Sequence, residues 1–270
     1  MSCTLVILVP TNEGIVAAVD GISTPHGLRF SDPNKFTVVR PARVVFATTG
    51  TFRLLPRPSD SSALKRWISK VVPLFDADQV VERHLRLHRP QAIDQEYLAS
   101  LSAHFVQALA GHLARDTSAA ERYRGGEVGC VVLAQCQRAT KLVTIASFVI
   151  RVTEDETAEV DESLFKTFRP EDEFVLLKFG ETDFLDQHVL RGAGRRHLGE
   201  GFFRRIEAVN RISELNSPDA AHIAHALIAA ASRTAEEIPS PTGIGGEVQV
   251  LLVDGSDSVA RELRRGTDYE

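Results

Sequence analysis

Three kinds of feature are scarce in this sequence, and each scarcity removes a class of protein. Cysteine is the first: there are three, Cys3, Cys130 and Cys136. An odd number without paired C-x-x-C spacing supports neither a disulfide framework nor a zinc ribbon, and reads as a reduced, intracellular protein. Cys130 and Cys136 flank an apolar run and read as small buried hydrophobes. Excess basic charge is the second. Lys and Arg number 31 against 36 Asp and Glu, for a net charge of −5. No basic field is available to a phosphate backbone, so no nucleic-acid partner is expected. Long apolar runs are the third. The opening run, residues 5–9, falls far short of the roughly 20 residues a bilayer-spanning helix needs. No basic segment followed by a long apolar stretch marks a secretory signal. The expectation is a cytoplasmic protein with no membrane partner.

What is present is ordinary in bulk. A hydrophobic content of 43% and a charged content of 25% suit a soluble chain that buries a sizeable core. Neither a repeat nor a dividing linker is visible, so residues 1–270 read as a single domain.

The first fifty residues read as β-structure. "TLVILV" and "GIVAAVD" are apolar runs joined by "PTNEG", whose Pro10, Asn12 and Gly14 mark a turn. "KFTVV" and "RVVFATT", joined by "RPA", read as a second hairpin. Helices are expected over 59–75, over 76–93 with Pro90 ending it, and over 94–115. In the last, Asp94 is the cap and Leu98, Leu101, Phe105, Leu109 and Leu113 form one stripe. "EVGCVVLAQC", "KLVTIASFVIRV" and "EFVLLKFG" read as strands. The acidic run 154–162 reads as a solvated loop. Residues 182–194 and 200–212 read as helices interrupted by glycine, and 217–238 as a long helix with Ser217 as cap and Pro218 in its first turn. "GGEVQVLLVD" reads as the closing strand. Runs of strands alternating with runs of helices argue for a layered α+β fold.

This order, with the motifs of the first third, resembles the proteasome β-subunit family of N-terminal nucleophile (Ntn) hydrolases. The quoted pieces are "SCTLVILV", "NEG", "IVAAVD", "NKFTVV" and "VVFATTG". The resemblance implies a four-layer αββα sandwich. It matches Asp20 to the family aspartate and Lys35 to the catalytic lysine. Residues 47–50, Thr48 among them, correspond to the turn whose backbone amide serves the oxyanion. Ser240, Thr242 or Gly243 stands at the place of the accessory serine and its glycine. The departures are a start that is not Thr-Thr, Ala47 or Thr48 where the family has Gly, Thr51 where it has Asp, and "SRTAEE" where it has an Arg-Asp pair.

Chemistry follows from that correspondence. A hydroxyl is a weak nucleophile near neutral pH and needs a base beside it. An α-amine, with a pKa of about 7.7–8.0, is such a base when the nucleophile is the first residue. Ser2 becomes first when Met1 is trimmed. Thr4 becomes first after self-cleavage behind Cys3, and its spacing to Gly14 and Asp20 then matches the family without an insertion. Cys3 is a third alternative, and a chain with no working nucleophile a fourth. The implied activity is a threonine-peptidase-type hydrolase of peptide amide bonds that needs no cofactor. Its implied partners are a peptide or protein substrate, copies of itself in a homo-oligomeric ring or stack, and an unfoldase. The alternative is a non-catalytic subunit of the same fold that acts in assembly or binding.

Each residue also has an ordinary role. Ser2, Cys3 and Thr4 can open an edge strand, Asp20 before Gly21 suits a turn, and Lys35 suits a strand start. His84 and His88, and His222 and His225, have helical metal-ligand spacing, but neither pair has a visible third ligand. "RGAGRR", with Gly192 and Gly194, lacks the third glycine of a dinucleotide fingerprint. "PTGIGG" reads as a flexible approach to the last strand.

Overall fold

The computed structural model describes residues 4–23, 30–31, 35–50, 53–54, 75–238, 244–256 and 258–263. Of the expected helix over 59–75, residues 59–74 lie outside them, and Phe75 instead pairs with Leu54 in a short ladder; Ser2, Cys3, Ser240, Thr242 and Gly243 also lie outside. In chain order the main strands are β1 (Leu5–Pro10), β2 (Ile15–Val19), β3 (Phe36–Val39) and β4 (Val44–Gly50). Three helices follow: α1 (Ala77–His88), α2 (Gln95–Leu113) and α3 (Thr117–Tyr123). Next come β5 (Gly126–Gln137), β6 (Leu142–Val152), β7 (Ala158–Phe168) and β8 (Leu177–Gly180). A helical segment over residues 182–197 leads to α4 (Gly199–Glu207), α5 (Ser217–Glu237), β9 (Gln249–Val253) and β10 (Ala260–Glu262).

The strands form two antiparallel five-stranded sheets, ordered β8-β1-β2-β9-β10 and β7-β6-β5-β4-β3. The fold is α+β, as the alternating runs imply. β1 reads as an unbroken apolar run because both of its faces are covered; every residue of it is buried. Its period of two then sorts the side chains. Val6 and Leu8 join Ala17, Val45, Ala47, Val132 and Ile145 in a core between the two sheets. Ile7 and Val9 point the other way and meet Ile223, Ala224, Leu227 and Ala231 of α5. The second sheet does the same: Phe46, Leu133 and Phe148 pack outward against Leu85, Leu101, Phe105 and Leu109 of α1 and α2. A one-residue slip of β1 would exchange two cores, so register is strongly specified.

The helix caps follow local chemistry. Asp94 accepts from the Tyr97 N–H at 2.7 Å and starts α2 as expected. α5 differs by one residue. Asn216, not Ser217, is the cap and accepts from the Asp219 N–H at 2.8 Å. Ser217 instead donates its hydroxyl to Glu13 Oε2 at 2.5 Å, tying α5 to the β1–β2 turn.

Three expectations are corrected. The acidic run is not a loop throughout: residues 153–157 turn, and β7 begins at Ala158 and pairs with β6. β7 is an edge strand, so its acidic side chains stay in solvent and its pattern lacks an apolar alternation. "QVLLV" does not close the sheet, because β10 pairs beyond it. Residues 47–50 are not a turn: they continue β4, with Thr48 opposite Val131 and Gly50 opposite Gly129. Among the described residues no helix is long and apolar enough to cross a membrane.

Candidate active site

The β1–β2 hairpin does the first positioning. With Val6 opposite Val19, the residue after β2 falls beside the start of β1. The Leu5 N–H donates to Asp20 Oδ1 at 2.9 Å, and the Asp20 N–H donates to the Leu5 carbonyl at 3.3 Å. Asp20 is wholly buried. Its second oxygen, Oδ2, accepts from the Gly245 N–H at 3.4 Å. Both carboxylate oxygens are thus engaged by main-chain donors before any cation is considered.

Lys35 supplies the cation. It stands immediately before β3, in the other sheet, and its side chain is 6% exposed. Its Nζ lies 3.3 Å from Asp20 Oδ1 and 3.1 Å from Thr4 Oγ1. Burial pushes the Asp20 carboxyl above its ordinary range, while the Lys35 charge and the Leu5 and Gly245 amides pull it down. A buried charge is tolerated when paired and fully hydrogen-bonded, as here.

Thr4 is held from its other side. Its carbonyl accepts from the Glu181 N–H at 3.2 Å, just past the end of β8. Gly180 closes against it in a left-handed conformation, φ 83°; a Cβ there would sit 1.9 Å from the Thr4 carbonyl oxygen. Only glycine fits this approach.

Of the six residues singled out in the sequence, Thr4, Asp20 and Lys35 therefore meet. Ser2 and Ser240 lie outside the described residues. Thr48 does not join them: its hydroxyl donates to Asp78 Oδ1, in the first turn of α1, at 2.7 Å. The alternation of β4 sends Thr48 to the helix side. Its neighbour Thr49, buried at 2%, lies against Gly180 on the Thr4 side. Sequence reading missed Thr49, Gly180 and Gly245. The period of two along "FATTG" was the signal for Thr49. No local signal exists for the two glycines, which act through long-range main-chain contacts.

β3 begins at Phe36, which pairs with Ala47. Residues 48–50 of β4 extend past it, with β5 on one edge and no strand on the other among the described residues. Main-chain donors on that edge stand close in sequence to the group that faces Thr4.

The histidines behave otherwise. His222 and His225 stand on α5. His84 and His88 lie with ring centroids 4.2 Å apart and planes tilted by 36°, and His104 of α2 lies 5.1 Å from His84, tilted by 40°. Among the described residues no group of three or more His, Cys, Asp or Glu could hold a metal ion. Cys130 and Cys136 are buried and unpaired, and burial pushes the Cys136 thiol up to about 11. Neither thiol is an activated nucleophile.

No protein-family model matches the chain, and no curated protein matches it either.

Proposed function

We propose that this chain is a proteasome β-subunit-like Ntn hydrolase that cleaves peptide amide bonds with Thr4 as its nucleophile. The observation that carries the reading is the Lys35 ammonium bridging Thr4 Oγ1 and the buried Asp20 carboxylate. Two strand starts and a strand end from different sheets converge on one hydroxyl. An ordinary edge-strand threonine has no need of that arrangement. The three cores, between the sheets and on their two outer faces, are compatible with a four-layer αββα sandwich.

Thr4 is the fourth residue, so its nitrogen is an amide until residues 1–3 leave. In the proposed maturation, Thr4 Oγ1 attacks the Cys3 carbonyl carbon and the Cys3–Thr4 C–N bond breaks. Water then hydrolyses the resulting ester, releasing residues 1–3 as a carboxylate and Thr4 with a free amine. That amine, with an ordinary pKa of about 7.7–8.0, takes the hydroxyl proton during attack on substrate. Lys35 lowers the cost of forming the alkoxide, and Asp20 fixes Lys35 in place. Main-chain N–H groups of residues 48–50 on the open edge of β4 serve the tetrahedral oxyanion. One such donor is worth about 3 kcal/mol where measured. The amine of the cleaved bond leaves with the proton, and water releases the acyl group. On this reading the chain works as a homo-oligomeric ring or stack on peptide or protein substrates, with an unfoldase as a candidate partner.

The test is the intact mass of the purified protein, with and without a peptide β-lactone or epoxyketone. The expected mature chain begins at Thr4 and gains a single adduct there. The Thr4→Ala variant keeps Ser2 and Cys3 and gains none. A chain that begins at Ser2 and is labelled on Ser2 would move the nucleophile. A chain that retains Met1 and takes no label would remove the activity.

A further inference from the structure

We propose that the cavity at the far end of the second sheet binds a multiply anionic small molecule, with its charge on phosphoryl or carboxylate groups. The cavity measures about 710 Å³ and is lined by Arg43, Gln91, Gln135, Cys136, Gln137 and Arg138. That volume lies in the range of about 300–1,000 Å³ typical of small-molecule sites. It exceeds what one inorganic phosphate fills, which is why the ligand carries more than one anionic group on a frame.

Its floor is already built. Gln135 is 2% exposed and ties three connections together. Its amide nitrogen donates to the Ala42 carbonyl at 3.1 Å and the Gln91 carbonyl at 3.4 Å, and its oxygen accepts from the Ile93 N–H at 2.9 Å. The turn before β4, the α1–α2 connection and the end of β5 are thereby fixed together. Little ordering remains to oppose binding. Gln137 uses its oxygen to accept from the Thr140 hydroxyl at 3.2 Å, so its amide nitrogen is left as a donor.

Charge points to the ligand's sign. Arg43 and Arg138 line the cavity. Arg40, Arg89 and Lys141 stand on the same three connections. Among the described residues, Arg40, Arg89, Arg138 and Lys141 have no ion-pair partner within 4.0 Å. Among the described residues, Asp94 caps α2, and Asp254 acts on the Cys136 thiol against Lys141. Arg138 at the cavity, with Arg40, Arg89 and Lys141 on its connections, runs against the sign of a chain of net charge −5. Guanidinium forks bind phosphoryl and carboxylate groups in bidentate fashion.

The site is separate from Thr4. Eight residue steps run along the strand from Gly129, at the Thr4 end of β5, to Gln137, which is roughly 26 Å at about 3.3 Å per step. The proposal stands whether or not Thr4 is catalytic.

The test is isothermal titration at physiological ionic strength with tripolyphosphate and, separately, citrate. Saturable one-to-one binding of either supports the proposal, and the tighter of the two identifies the anionic group. Arg138→Gln is expected to weaken it at least about tenfold, the loss of one charge-assisted contact. The double variant Arg43→Gln/Arg138→Gln is expected to abolish it, while Arg204→Gln, on exposed α4, leaves it unchanged. Thermal unfolding without ligand verifies that the variants fold. Failure of both probes to bind the wild-type chain overturns the proposal. So does an Arg138→Gln variant that binds as tightly as wild type, or an equal loss in Arg204→Gln.

Discussion

Two buried polar sites sit in this molecule under opposite conditions. At the start of β1, Asp20 and Lys35 carry opposite charges, and both Asp20 oxygens accept hydrogen bonds. Between α1 and α2, the buried His84 lies against the exposed His88 and His104, with the rings tilted to one another. His84 Nε2 is buried there with no hydrogen-bond partner, as is the Tyr97 hydroxyl beside it. No carboxylate contributes to the electrostatics of His84; only His88 and His104 do, after burial itself. The first is a charge made tolerable by its surroundings. At the second, His84 is tolerable only while it stays neutral. The difference teaches that burial alone does not mark a functional site. What marks one is a buried charge for which the fold has gathered partners from distant segments.

The largest effect expected from breaking this contrast is at Lys35. Lys35→Met leaves Asp20 buried without its counter-charge, and unfolding in urea should show a loss of about 3–5 kcal/mol along with all hydrolysis. The double variant Asp20→Asn/Lys35→Met should recover most of that stability and none of the activity. If it stays as unstable as the single variant, the pair is not what makes Lys35 matter.

His84 should respond to pH. Burial and its two neighbours push His84 down to about 4 from the ordinary 6.5. Between those values the unfolded chain binds the proton and the folded chain does not, so stability falls as pH drops from 6.5 toward 4. The slope approaches about 1.4 kcal/mol per pH unit, or roughly 3 kcal/mol across the window. Denaturant midpoints at pH 7, 6 and 5 measure it. His84→Phe should flatten this dependence, and an unchanged slope would show that other groups carry it.

Thr4 sharpens the comparison from the side of function. Thr4→Ala should cost about 1 kcal/mol of stability, the loss of one hydrogen bond, and yet abolish covalent labelling. Thr4→Ser should keep the labelling. Equal loss of activity in both would argue that the hydroxyl is structural. The smallest effect is expected at the surface. Arg151 pairs with Glu159 at 3.8 Å and Asp161 at 3.4 Å, all three exposed to solvent. Arg151→Gln should change stability by less than about 1 kcal/mol, and added salt should erase even that.

The sequence was most informative where periodicity and burial coincide. Both opening hairpins, α2 with its Asp94 cap, and the strands of the inner layers were legible because apolar period and turn residues agree. The edges were not. β7 hides behind its acidic residues and β10 behind its brevity, since an edge strand needs no apolar alternation. At the candidate site, Asp20 and Lys35 were visible only as members of an ordered pattern. The choice among Ser2, Cys3 and Thr4 was not decidable by residue type, because all three can be nucleophiles. Of the three, Thr4 is the one among the described residues, and Lys35 reaches its hydroxyl. Thr48 entered the pattern through its main-chain amide; its side chain turns to α1 because one residue along a strand reverses the face.

Gly180 has a consequence for what this chain can become. The main chain at residue 4 is fixed by the Gly180 contact and the Glu181 N–H, and at residue 5 by the Asp20 carboxylate, with no help from the residue 4 side chain. The frame therefore holds whatever side chain is installed there in the same place. Threonine, serine or cysteine at position 4 can be exchanged as reagents without rebuilding the vessel, while a single methyl at position 180 would crack it.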